Sequence, residues 1–174
     1  PCPKRSGITG ESQTLEKVIP KKPNNKPITF PEYLSRGLSK LLGYFISEGH
    51  SHNNPSNRYA EIGISTTSDE IKEEVKSLFE EVFETSININ IHKKESRKRA
   101  TLDLYTIRCP SNPLYEFFRK NFPELLSKAP LKRVPQVIMK ETKEIKTEFL
   151  CAAFRGDGYY DNSDFGFTTA SRKL

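Results

Sequence analysis

The chain has 174 residues, about a third of them hydrophobic, and a formal net charge of +6. No apolar run is long enough to span a bilayer, and the Pro/Lys/Asn-rich N-terminal stretch lacks the apolar core of a secretory leader, so no membrane partner is expected. Cys2, Cys109 and Cys151 are odd in number and lack metal-ligand spacing, which reads as free thiols in a reducing, cytoplasmic setting.

Residues 1–30 are rich in proline and poor in apolar residues, and read as a linker or an arm lying on the domain. Pro31 to Glu48 is expected to be helical, with Leu34, Leu38, Leu41, Leu42 and Phe45 forming one apolar stripe. Residues 51–65 read as a hairpin turning at Asn53-Asn54-Pro55-Ser56-Asn57. Thr67-x-x-Glu70 has the form of a capping box and opens a helix with Ile71, Val75, Leu78, Phe79, Val82 and Phe83 on one face. Residues 86–93 alternate Ile87, Ile89 and Ile91 with Asn88, Asn90 and His92, the pattern of a strand with one buried and one polar face. Residues 101–108 are its expected partner, with Leu102 and Leu104 inward and Asp103 and Tyr105 outward. Residues 111–122 form a short helix whose Phe117, Phe118 and Phe122 belong to the core, and three prolines break the connector 123–135. Residues 141–156 give a second long helix and 159–169 a second hairpin.

Charge is segregated along this order. Residues 69–84 hold seven acids against Lys72 and Lys76, whereas 93–99 hold Lys93, Lys94, Arg97, Lys98 and Arg99 against Glu95. One strongly acidic helix beside strongly basic segments suits a molecule that presents one side to a polyanion such as DNA.

The chain also repeats itself. Leu41-Leu42-Gly43-Tyr44-Phe45-Ile46-Ser47-Glu48-Gly49 and Leu150-Cys151-Ala152-Ala153-Phe154-Arg155-Gly156-Asp157-Gly158 share one layout: an apolar helical run, small residues four apart, a carboxylate, then glycine. Ile62-Gly63-Ile64 likewise reads against Phe165-Gly166-Phe167. The first unit is α-β-β-α-β-β-α. The second begins in the same way and stops, so about half of it is expected to lie outside this chain or to be supplied by something else.

Gly43 and Ser47, like Ala152 and Gly156, share a helix face, and small residues there allow two backbones to approach closely. The two helices are then expected to pack in parallel and to bring Glu48 and Asp157 together. A helix C-terminus repels a carboxylate, and a second carboxylate repels it further. Two copies of that arrangement point to a divalent cation held by hard oxygen ligands, with Mg2+ suited to phosphodiester chemistry. In the alternative reading both acids merely precede turns at Gly49 and Gly158. His50 and His52 read as surface or DNA-facing residues rather than metal ligands.

These residues resemble the two motifs of the LAGLIDADG homing endonucleases, particularly those found inside inteins. Lys132-Arg133-Val134-Pro135 resembles the Lys-x-Ile/Val-Pro box that the family carries before its second motif. The resemblance runs from about Tyr33 to Leu174, with Arg155 and Ala152 as departures within the second motif, and the chain shows no splicing boxes. It implies an α+β fold with one αββαββα unit (31–130) and a linker with a partial second, pseudo-symmetric unit (131–174). It implies Mg2+-dependent double-strand cleavage of a long specific DNA site. Glu48 and Asp157 would be the metal-binding acids and Lys132 the active-site lysine. The polar sheet face over duplex DNA would carry Glu61, Ser65, Asn88, Asn90, His92, Asp103 and Tyr105, while Lys93, Lys94, Arg97, Lys98 and Arg99 grip phosphates. The competing readings are a non-cleaving DNA- or RNA-binding domain, maturase-like or degenerate, and an inactive fragment.

Overall fold

The computed structural model describes residues 12–19, 28–84, 90–94, 104–161, 164–171 and 174. Helix α1 (Arg36–Glu48) starts five residues later than Pro31, because Ser35 supplies the cap: its hydroxyl accepts the Leu38 N–H at 3.1 Å. Leu34 is buried although it precedes the helix. β1 (Gly49–Asn54) follows α1 with no intervening loop, and a 3-10 turn at Pro55–Asn57 leads to β2 (Tyr59–Thr66). Helix α2 (Asp69–Phe83) is capped by Ser68, whose hydroxyl accepts from the Ile71 N–H at 3.3 Å, not by Thr67. The cap moves by one residue because Thr66 is still paired in the sheet, opposite Tyr105, while its hydroxyl accepts the Ser68 N–H.

β3 (Asn90–Lys94) and β4 (Leu104–Pro110) complete an antiparallel sheet of order β1-β2-β4-β3, and α3 (Asn112–Asn121) is capped by Ser111. The connector forms 3-10 turns at Pro123–Leu125 and Ala129–Leu131 and a short α4 (Gln136–Lys140). Helix α5 (Lys143–Asp157) runs directly into β5 (Gly158–Asp161), which among the described residues pairs only with β6 (Asp164–Phe167). The element order is thus αββαββα, followed by α5 with its own hairpin after the short α4.

One face of the sheet packs on the helices. Ile62 and Ile64 of β2 lie opposite Cys109 and Ile107 of β4, and all four are fully buried beneath α1, α2 and α3. Phe83, Phe117, Phe118 and Phe122 interlock edge to face in this core, each such side chain adding about 1.5–3 kcal/mol of burial. Part of the N-terminal stretch is tied down here. Leu15 is buried, its N–H donates to Glu32 O at 2.8 Å, and Glu16 and Asn121 exchange two hydrogen bonds.

This packing reverses the expected parity of β4. Tyr105 shares a face with Ile107 and Cys109, on the helix side, where Lys72 of α2 lies 4.3 Å from its ring centroid. Leu104 is turned outward and is 38% exposed. Ile107 and Cys109 fix the alternation, and a strand's period of two then carries every other residue with them. Tyr105 is therefore not on the polar sheet face. No helix among the described residues is long and apolar enough to cross a membrane.

Candidate active site

The two motif helices run parallel and touch along their small residues. From one end to the other, Ser39 meets Ile145, Gly43 meets Phe149 and Ala152, and Ser47 meets Ala153 and Gly156. A Cβ on Gly43 would sit 2.3 Å from Phe149 O and 2.8 Å from Ala152 Cβ, and one on Gly156 would sit 2.7 Å from Ser47 Cβ. The serines also bond across the seam: Ser39 Oγ donates to Ile145 O at 2.7 Å, and Ser47 Oγ to Ala153 O at 2.9 Å. Ser39 is fully buried, so Ser39→Ala is expected to cost about 1 kcal/mol, read as a lowered midpoint in chemical denaturation.

Glu48 and Asp157 are the last residues of α1 and α5, and they meet at one end of this seam. The caps that follow match: Gly49 (φ −78, ψ 147) and Gly158 (φ −79, ψ 152) return their N–H groups to Phe45 O and Phe154 O. Both positions need glycine for space, since a Cβ would lie 2.2 Å from Phe45 O or 2.3 Å from Phe154 O. A Cβ on Gly156 would lie 3.6 Å from Glu48 Cγ, which shows how near the two helix ends are.

Burial, then the Asp157 charge and a hydrogen bond with Asp157, raise the Glu48 carboxyl above its ordinary value, against Lys132. Burial raises Asp157 as well, opposed by its hydrogen bond with Glu48 and by Lys132. Both folded values exceed the unfolded ones, so this pair favours folding at acid pH and loses that contribution as pH rises through the raised values. Metal-free Glu48→Gln protein is expected to melt higher than wild type at neutral pH, and the two curves should converge towards about pH 4. Thermal melts in chelator across that range provide the check.

Lys132 is buried and sits at the C-terminus of α1. Its Nζ donates to Phe45 O at 2.8 Å, Ile46 O at 3.3 Å and Gly49 O at 2.7 Å. Burial pushes its pKa down to about 8, while Asp157 and Glu48 act in the opposite direction. Its three donors are thus spent on two carbonyls in the last turns of the helix that carries Glu48 and on that of the cap residue Gly49. The backbone of Lys132 is anchored in turn, as Ser171 Oγ donates to Lys132 O at 2.7 Å.

The outward face of the sheet lies beside this centre. His50, His52, Glu61, Ser65, Thr106 and Arg108 share it by register. Ser65 Oγ is 3.4 Å from Thr106 Oγ1. Glu61 is on this face but is only 6% exposed and takes a hydrogen bond from the Tyr59 hydroxyl, so it is not presented to solvent as the sequence suggested. His50 is held below its usual value by burial, against Glu61 and with Arg108 and Lys132 assisting. Arg108 has a buried Nε with no hydrogen-bond partner among the described residues. Thr106 and Arg108 were concealed in the sequence by the inverted parity of β4. Asn90, His92 and Lys94 pair with Arg108, Thr106 and Leu104, and Lys93 pairs with Tyr105. Asn88, Arg97, Lys98, Arg99 and Asp103 lie outside the described residues.

A family model described as a LAGLIDADG-like domain matches residues 38–120. A glutamine–fructose-6-phosphate aminotransferase of Methanocaldococcus jannaschii is 29% identical over 133 residues, which are 76% of this chain and 11% of that protein. The chain thus spans about a ninth of the length of this curated relative. Among solved structures, the homing endonuclease I-DmoI in complex with DNA and Mn is 17% identical with a TM-score of 0.46, covering 71% of this chain and 63% of that one. Mesophilic variants of I-DmoI give a TM-score of 0.49 at 17% identity, with the same coverage of 71% and 63%. The matched stretch spans the helices and sheet from α1 to α3, so this part of the chain is a LAGLIDADG-like domain.

Proposed function

We propose that the protein cuts both strands of duplex DNA at a long specific site by divalent-metal-dependent hydrolysis. The observation that carries this reading is the meeting of Glu48 and Asp157 at twin helix ends, where burial holds both carboxyls above their ordinary values and the Asp157 charge raises Glu48 further. Such a pair is relieved by a hard cation, and two carboxylate oxygens suit Mg2+ or Mn2+. The described residues contain no group of three His, Cys, Asp or Glu side chains placed for a metal, so phosphate and water oxygens would complete the shell. When bound, the cation supplies Lewis acidity and lowers the pKa of water. Glu48 and Asp157 hold and orient it, while Lys132 holds the end of α1 and lends positive potential to the developing phosphate charge.

The outward sheet face would lie over the groove. Arg108 stands on this face with Ser65 and Thr106 beside it, and a guanidinium there suits a guanine edge or a phosphate. Asn88, Asn90 and His92 are assigned to base edges, and Lys94, Arg97, Lys98 and Arg99 to phosphates, while Lys93 shares the register of Tyr105 and is not assigned to this face.

The boundaries we propose are an arm (1–30), a first unit (31–130) and a linker with a partial second unit (131–174). Leu150, Phe154 and Phe165 are exposed, whereas their counterparts Leu41, Phe45 and Ile62 are fully buried. A further segment equivalent to α2-β3-β4-α3, in the same polypeptide or a second chain, would cover them and complete the DNA saddle. A match confined to a ninth of an aminotransferase is also what an element housed inside a host protein would give, which supports an intein setting. The free Cys109 and Cys151 fit a cytoplasmic location.

The saturated Lys132 ammonium favours one second reading, a domain that binds nucleic acid without cutting it. Cleavage of a randomised duplex library in Mg2+ or Mn2+, with recovery of cut ends, separates the two. Glu48→Gln and Asp157→Asn are expected to retain duplex binding and to lose at least about 100-fold in cutting rate. Binding with no cut ends from the wild-type protein would leave only the second reading.

A further inference from the structure

Arg155 stands two residues before Asp157 and reaches out of its own unit. Its Nη1 donates to Glu74 Oε2 at 2.6 Å and its Nη2 to Glu70 Oε1 at 2.9 Å, both on α2 of the first unit. The guanidinium carbon lies 5.9 Å from the Tyr44 ring centroid. Glu74 also accepts the Tyr44 hydroxyl at 2.6 Å and pairs with Lys40, so α1, α2 and α5 converge on one carboxylate. Burial alone would raise Glu74, but Lys40, Tyr44 and Arg155 outweigh it and hold the carboxyl below its ordinary value. In the repeat, Arg155 takes the place of Ile46, which is buried. The second motif thus has an ionic clamp where the first has an apolar contact.

The two ion pairs are unequal. The Glu70 side chain is 82% exposed and contributes little, whereas that of Glu74 is 24% exposed and has three partners. We infer that Arg155 is a positioning residue: by gripping Glu74 it fixes the last turn of α5, and so sets the placement of Asp157 against Glu48. The inference rests on the reading of that pair as the cation site.

The test is Mn2+ binding to the full chain, followed by the electron paramagnetic resonance of free Mn2+, with thermal melts run in parallel. Arg155→Met and Glu74→Gln are each expected to weaken Mn2+ about five- to tenfold, and the double variant no more than either alone. Arg155→Lys should recover part of the loss, and Glu70→Gln should stay within about twofold of wild type. Glu74→Gln keeps the side-chain volume and so carries the test should Arg155→Met not fold. Unchanged Mn2+ affinity in Glu74→Gln, beside a clear loss in Asp157→Asn, overturns the positioning role and leaves the cation site standing. Unchanged affinity in Asp157→Asn overturns both.

Discussion

Gly43→Val should force α1 and α5 apart and destabilise the protein by about 3 kcal/mol. The first added carbon would already lie 2.3 Å from Phe149 O and 3.1 Å from Ala153 N, and these are backbone atoms of a helix that cannot step aside singly. Helix propensity does not rescue the change, since the gain over glycine is less than about 1 kcal/mol. A loss of that size lowers the thermal midpoint of a chain this long by roughly 6–12 °C. Gly43→Ala should show the same effect in weaker form. The carboxylate pair separates with the helices, so Mn2+ binding should fall along with stability. A Gly43→Ala protein as stable as wild type would refute the close-approach account.

The second large effect is expected at Lys132. Lys132→Met keeps most of the apolar stem and removes the donors that serve Phe45 O, Ile46 O and Gly49 O. Phe45 O retains the Gly49 N–H, but the site is buried and the ammonium's other bonds are lost. About 2–4 kcal/mol should be lost, measured by chemical denaturation without metal. Lys132→Arg should not restore it, because a planar guanidinium cannot direct its protons to three carbonyls around one helix end. Loss of cutting in a Lys132 variant therefore has to be measured well below its own midpoint. An unchanged midpoint in Lys132→Met would show that the cap is dispensable and that the ammonium serves the chemistry alone.

What the sequence disclosed depended on how local each signal was. The helix seam was legible because Gly43, Ser47, Ala152 and Gly156 declare it through their size and spacing within single helices. Helix ends were legible to within a few residues: Ser35 and Ser68, not Pro31 and Thr67, are the caps, since an extended neighbour decides where a helix can start. The parity of β4 was misread because Leu102 and Leu104 looked like the inward residues. Ile107 and Cys109 set the alternation through their partners in β2, which no local pattern records. The same holds for Lys132, whose acceptors lie more than eighty residues away in the chain, and for Glu141, whose buried carboxylate takes the Gln13 N–H at 2.7 Å. The Arg155 clamp was hidden because its partners belong to a helix that reads as a solvated acidic face.

Glu48 and Asp157 are each joined directly to the first residue of a strand, Gly49 and Gly158. No flexible spacer lies between the acid and the surface proposed to read bases. A strand displaced by an ill-fitting groove must carry its acid with it, because the cap that joins them is held by a backbone hydrogen bond at both copies. Under the proposed function, discrimination would then act on cutting itself as well as on residence time, since an imperfect sequence would disturb the placement of the acids through a rigid lever.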